Sequence, residues 1–263
     1  MKKKIAFLLC AVMACVTLVS GCGKSGKSEK VYAVEAGSAG EAIAKEKGYK
    51  INSVGAPADA LMEVEAGTSD AAIIDMLMAG AMIGEGTSYA DLKQTAELTT
   101  EEYGIGCRKG SDLASFINSI LAKKYADGTM TKLAEQYKIR GSLVIEQREC
   151  EYTASESDSD VEYIKNKGKL VVGMTLFAPM DYQEDGSDEI VGYDADLARE
   201  VGKELGVDVE FVIIDWDSKI MELNSKNIDV VWNGMTLTDD VRAAMECTNA
   251  YLSNAQVVVE KDK

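Results

Sequence analysis

Asp75 closes the apolar run Ala71-Ala72-Ile73-Ile74, which reads as a buried strand. A carboxylate at the C-terminal end of such a strand stands where ligands sit in open α/β sheets, and its natural partner is an ammonium group. The same side chain could instead cap the next turn. A second strand-like run, Val31 to Glu35, leads into Gly37-Ser38-Ala39-Gly40-Glu41 and then an apolar-periodic stretch. Ser38 and Glu41 have capping-box spacing, so the backbone amides from Ala39 onward open a helix and could take a carboxylate; a cap with no ligand is the simpler reading. The third run is Trp232-Asn233-Gly234-Met235-Thr236-Leu237-Thr238, with Arg242 one helical turn later. Thr238 is placed as an N-cap, while Thr236 and the Gly234 carbonyl could hold the polar ends of a zwitterion. Phe177 and Trp216 fall in turns after strands and could wall such a site, or simply fill the core.

Other chemistry is excluded by what is missing. The chain has no histidine, which removes Ser-His-Asp triads, Cys-His pairs and histidine-based metal sites together. Its six cysteines show no CxxC spacing. Cys10 and Cys15 lie in a leader and Cys22 at its end, so Cys107, Cys150 and Cys247 remain, an odd set that argues against a disulfide framework or a zinc site. No metal or other cofactor is expected. A formal net charge of −16 makes nucleic acid and anionic lipid poor partners.

The elements that position these residues follow a leader. Lys2-Lys3-Lys4, an apolar run from Ile5 to Val19, and the small residues Ser20-Gly21 before Cys22 make the three-part plan of a secretory signal peptide over residues 1–21. Val19-Ser20-Gly21-Cys22 resembles the lipobox of bacterial lipoproteins, which makes Cys22 the lipidation site and 22–30 a tether. Gly21 to Ser28 also fits the bare phosphate-loop pattern, but a leader precedes it and a strand follows, the reverse of what that loop needs. From Val31 strands and helices alternate, which predicts α/β layers. Helices are expected over Gly40 to Lys47, Ala58 to Glu65, Leu113 to Tyr125, Met130 to Tyr137 and Asp194 to Leu205. Strands are expected at Tyr103 to Cys107, Leu170 to Met174, Val207 to Ile214, Ile228 to Trp232 and Ala255 to Val259. Residues 142–160, rich in Ser, Asp and Glu, read as an acidic linker.

Four segments together resemble a known family, the polar-amino-acid (family 3) solute-binding proteins of ABC importers. They are Leu170 to Met180, Gly192 to Leu197, Asn233 to Thr238 with Asn249 to Leu252, and Val34 to Gly40 with Tyr103 to Leu113. The resemblance implies an α/β, two-lobed, type II periplasmic-binding-protein-like fold with a two-strand hinge. The order of segments differs from the family's, and implies a circular permutant opened in the second lobe. The divisions are then lobe 2 over 31–100, a hinge strand and C-terminal helices of lobe 1 over 101–141, the linker, the main part of lobe 1 over 161–254, and a hinge strand over 255–263. That topology expects Ala255 to Val259 beside Tyr103 to Cys107.

Carried over by position, the resemblance implies that Asp75 takes the ligand's α-ammonium with help from Gly234 and Thr236. It implies that Ser38 and the Ala39 amide take the α-carboxylate, and that Phe177 and Trp216 flank the side chain. The family's carboxylate-binding arginine falls where this chain has Val241; Arg242 is next, about 100° further round a helix. The function implied is capture of an amino acid by a lipid-anchored, monomeric binding protein on the extracytoplasmic face, delivering to an ABC transporter permease and performing no catalysis. The alternatives are an enzyme on the same scaffold, a dehydratase or lytic transglycosylase, or a ligand sensor. Against an enzyme, no motif places a second carboxylate beside Asp75.

Overall fold

A computed structural model describes residues 29–144, 151–155 and 157–262. The leader, Cys22, the phosphate-loop-like run and Cys150 lie outside the described residues. In chain order the first elements are β1 (Val31–Glu35), α1 (Ala39–Glu46), β2 (Lys50–Val54), α2 (Pro57–Ala66), β3 (Ala71–Asp75), α3 (Met76–Met82) and β4 (Leu92–Glu97). Then come β5 (Glu101–Cys107), α4 (Leu113–Ala126) and α5 (Thr129–Gln136). The rest comprises α6 (Asp160–Lys167), β6 (Lys169–Met174), β7 (Tyr182–Gln183), β8 (Ile190–Val191), α7 (Tyr193–Leu205), β9 (Asp208–Ile213), α8 (Lys219–Asn224), β10 (Val230–Thr236), α9 (Asp239–Ala244), β11 (Glu246–Cys247), β12 (Leu252–Asn254) and β13 (Gln256–Lys261).

Two sheets form two lobes. The first has the order β2-β1-β3-β13-β4, the second β11-β5-β10-β6-β9 with β12 also on β5, and β7 and β8 form a small separate ribbon. The central strands β1, β3, β6 and β10 are parallel to a neighbour, and β3 and β6 are apolar on successive residues because helices cover both faces. That burial explains why Ala71 to Ile74 and Leu170 to Met174 show no alternation. The two-lobed α/β class expected from the sequence is the one observed.

The chain crosses between lobes twice, from β4 into β5 and from β12 into β13. Asn254 pairs with Glu101 on one side of the crossing and Val257 with Glu97 on the other, so the crossings lie side by side and antiparallel. The expected neighbour of Tyr103 therefore needs correction. Leu252, not the strand from Ala255, lies opposite Tyr103, while β13 pairs with β3 and β4 in the other lobe. Both chains change sheets at the same level, so each keeps its partner chain but not its partner strand.

The acidic linker is shorter than the sequence suggests. Thr153, Ala154, Ser155, Ser157 and Asp158 are exposed. The Tyr152 and Ser159 hydroxyls and the Ser155 amide all donate to Asp112 Oδ2, at the start of α4. Asp160 belongs to α6, capped by Ser159, and is buried against Arg108. Arg108 Nε and Nη2 donate to Asp160 at 3.1 and 2.7 Å, and Nη1 donates to the Ile228 carbonyl at 3.0 Å. One guanidinium thus joins the end of β5, the start of α6 and the loop before β10. The Ser/Asp/Glu composition hid this helix start.

Candidate ligand-binding site

A cavity of ≈ 190 Å³ opens between the lobes. One wall comes from the ends of β1 and β3, the start of α1 and Gln256; the other from Phe177, Trp216, Lys219 and the segment from Asn233 to Val241. Of the residues singled out in the sequence, Ser38, Ala39, Asp75, Phe177, Trp216, Gly234 and Thr236 all line it. Arg242 does not. Val241 faces the cavity from α9, and the single-residue step turns Arg242 outward, where its Nε donates to the Leu237 carbonyl at 3.4 Å and its side chain stays 47% exposed.

Asp75 ends β3 but does not cap α3. Asn254 takes that task, its Oδ1 accepting from the Leu77 amide at 3.2 Å. Asp75 Oδ1 instead accepts from the Tyr103 hydroxyl, from Asn254 Nδ2 at 2.8 Å and from Gln256 Nε2 at 3.0 Å. The same two amides donate to Glu101 Oε1, at 2.7 and 2.9 Å. Burial, and then the like charge of Glu101, push the Asp75 carboxyl up to about 8. The expectation that no second carboxylate stands beside Asp75 is overturned, because the two hinge crossings bring Glu101 next to it.

Glu35, like Asp75, brings a carboxyl to the cavity wall. It ends β1 as Asp75 ends β3, is only 7% exposed, and its Oε1 has no hydrogen-bond partner among the described residues. Burial chiefly, with the charge of Asp75 added, raises it to about 8; Thr175 and Lys219 pull the other way. Lys219, also 7% exposed, is lowered by burial and partly restored by Glu35. Its ammonium donates to the carbonyls of Gly37 and Trp216, both at 2.9 Å, and lies over the Trp216 ring at 4.7 Å. The bond to Gly37 joins the two lobes.

At the helix end, Ser38 Oγ accepts from the Glu41 amide at 3.1 Å and Glu41 Oε2 accepts from the Gly37 amide at 3.0 Å. The Ala39 and Gly40 amides find no acceptor among the described residues and stand at the positive end of α1. Gly234 must be glycine: its φ is +56°, and an added Cβ would stand 2.7 Å from the Phe177 ring and 2.9 Å from that of Tyr103. Its amide donates to the buried Asp194 at 2.7 Å, which holds this bulge of β10 in place.

Sequence reasoning missed Glu35, Glu101, Tyr103, Lys219, Asn254 and Gln256. Glu35 carried the same signal as Asp75, an acid at the end of an apolar strand. The others carried none, since only the hinge and the lobe contact bring them to the site.

Residues 170–263 match the family described as bacterial extracellular solute-binding proteins, family 3. The chain is 38% identical over 99 residues to the L-cystine-binding protein TcyA of Bacillus subtilis, a stretch covering 37% of each chain. It is 33% identical over 96 residues to the arginine-binding extracellular protein ArtP of the same organism, covering 36% of this chain and 37% of that one. Among solved structures, an ancestral cyclohexadienyl dehydratase is 30% identical with a TM-score of 0.32, covering 34% of this chain and 37% of that chain. The chain thus spans little more than a third of the length of the curated relatives it matches. Through this segment it is related to the family 3 solute-binding proteins, and the two relatives named here bind L-cystine and arginine.

Proposed function

We propose that this protein is an extracytoplasmic binding protein that closes its two lobes on an amino acid and delivers it to an ABC transporter. The observation that carries the reading is the composition of the cavity. A carboxylate at a strand end, two free amides at a helix start and two aromatic side chains converge on ≈ 190 Å³ from both lobes, which suits a small zwitterion and lets closure exclude water. In this reading Asp75 takes the α-ammonium with Thr236 and Gly234 beside it, Ser38 and the Ala39 amide take the α-carboxylate, and Phe177 and Trp216 flank the side chain. Arg242 has no part. The chain order is that of a permuted two-lobe protein, and Cys22 carries the lipid anchor of a monomer. Titration calorimetry against the common amino acids tests the reading. Binding near the micromolar level, about −8 kcal/mol, supports it, and no binding to any of them refutes it.

A second reading has one specific observation behind it. Asp75, which has Glu101 beside it, and Glu35 on the neighbouring strand are both raised to about 8 and so hold a proton near neutral pH, as a general acid must. That suits an eliminating or hydrolytic enzyme. Incubating the protein with each ligand it binds and weighing the products by mass spectrometry separates the two: a binding protein returns the ligand unchanged.

A further inference from the structure

Glu35 is a charge-bearing group that the amino-acid site as proposed does not use. Its carboxyl lines the cavity, is nine-tenths buried, and leaves Oε1 without a partner. A buried acid in that state is costly unless something pairs with it. Lys219, the cation whose charge acts on Glu35, has two of its three N–H groups spent on the Gly37 and Trp216 carbonyls. Asp75 on the neighbouring strand has Glu101 behind it and amide and hydroxyl donors around it, but no cation among its hydrogen-bond partners. The ionisable side chains lining the cavity are the acids Glu35, Asp75 and Asp240 and the single base Lys219, so without a cationic ligand the buried acids can only keep their protons, and ionising them leaves an excess of negative charge. A zwitterion with a neutral side chain carries no net charge to offset it.

We infer that the ligand is an amino acid with a cationic side chain, its second positive charge facing Glu35. The inference rests on the amino-acid reading of the same cavity. The α-ammonium occupies Asp75, the α-carboxylate lies at the start of α1 within reach of the remaining Lys219 donor, and the side-chain ammonium or guanidinium closes the charge balance at Glu35. Phe177 and Trp216 add aromatic faces, against which a cation is favoured over a neutral group of the same shape.

The test compares L-arginine with L-citrulline, which has nearly the same shape without the charge, and L-lysine with L-glutamine. Affinities are measured by calorimetry on the full mature chain and on Glu35→Gln. The expected result is that the parent protein prefers arginine to citrulline by about a hundred-fold, and that Glu35→Gln narrows the gap to within about three-fold. Glu35→Asp, which keeps the charge, should retain most of the preference. It also shows that loss in Glu35→Gln is not misfolding. If the parent binds citrulline or glutamine as tightly as the cationic pair, or if Glu35→Gln leaves the ratio unchanged, the assignment of ligand class is overturned while the amino-acid reading stands. If no amino acid binds, both fall.

Discussion

Asp75 and Glu35 occupy equivalent places at the ends of neighbouring parallel strands, yet their surroundings differ. Asp75 sits in a ring of donors, whereas Glu35 has none on Oε1. Replacing Asp75 with Asn nearly keeps the shape and removes the charge, so amino-acid binding should weaken by roughly 2–4 kcal/mol, read by calorimetry on a variant that melts as a folded protein. Unchanged affinity would move the ammonium elsewhere. Both acids rise to about 8 in the folded protein from ordinary values of 3.8 and 4.5, so between those limits the native state holds protons that the unfolded chain has released. Stability of the ligand-free protein should therefore fall as pH rises from about 5 to about 8. Melting temperatures across that range should show a shallower fall in Glu35→Gln than in the parent; equal slopes would mean that Glu35 is not raised.

Where the lobes meet, two elements hold each other through glycine. Gly37 precedes α1 with φ at +71°, and a Cβ there would lie 2.6 Å from the Asp217 Cα, in the turn before α8. Lys219, the first residue of α8, reaches back to the Gly37 carbonyl. Gly37→Ala adds about 1 kcal/mol of backbone strain and a contact that only lobe separation relieves. It should weaken ligand binding by about ten-fold or more and leave the open form more populated, visible as a larger radius of gyration in solution scattering. A second element-level prediction concerns Arg108, which ties β5 to α6. Arg108→Ala leaves Asp160 and the fully buried Asp229 without this partner, and should cost about 3–5 kcal/mol by chemical denaturation. A loss below about 1 kcal/mol would reduce this to an ordinary surface pair.

At the scale of the whole molecule, the hinge decides the architecture. Two antiparallel crossings at the same level allow the chain to begin in one lobe, build most of the other and return, so the chain's order along the sequence matters little to the contacts it makes. Thr153, Ala154, Ser155, Ser157 and Asp158 are exposed, and Tyr152, Ser155 and Ser159 tie this stretch to Asp112 by hydrogen bonds. Cutting between Thr153 and Ala154 should leave the two pieces associated and able to bind ligand, as size exclusion and calorimetry would show. Dissociation on cleavage would mean that the linker is part of the fold.

The two-lobed arrangement was implied by the family resemblance, whereas the alternation of strands and helices and the polar residues at the ends of β1, β3 and β10 were legible in the residues themselves. These last depend on local periodicity, capping spacing or an acid closing an apolar run, and neighbours in the chain determine those. The extent of the linker was misread at Asp160, because a buried ion pair looks in sequence like one more solvated charge. Arg242 could be placed only when the phase of α9 was seen to turn Val241 inward. Glu101, Asn254 and Gln256 became site residues through two hinge crossings more than 150 positions apart in the chain. Lys219 did so through contact between lobes at Gly37. Pairings of that kind have no local signature, since the energy that selects them comes from burying whole lobes against each other, and only the tertiary structure carries it.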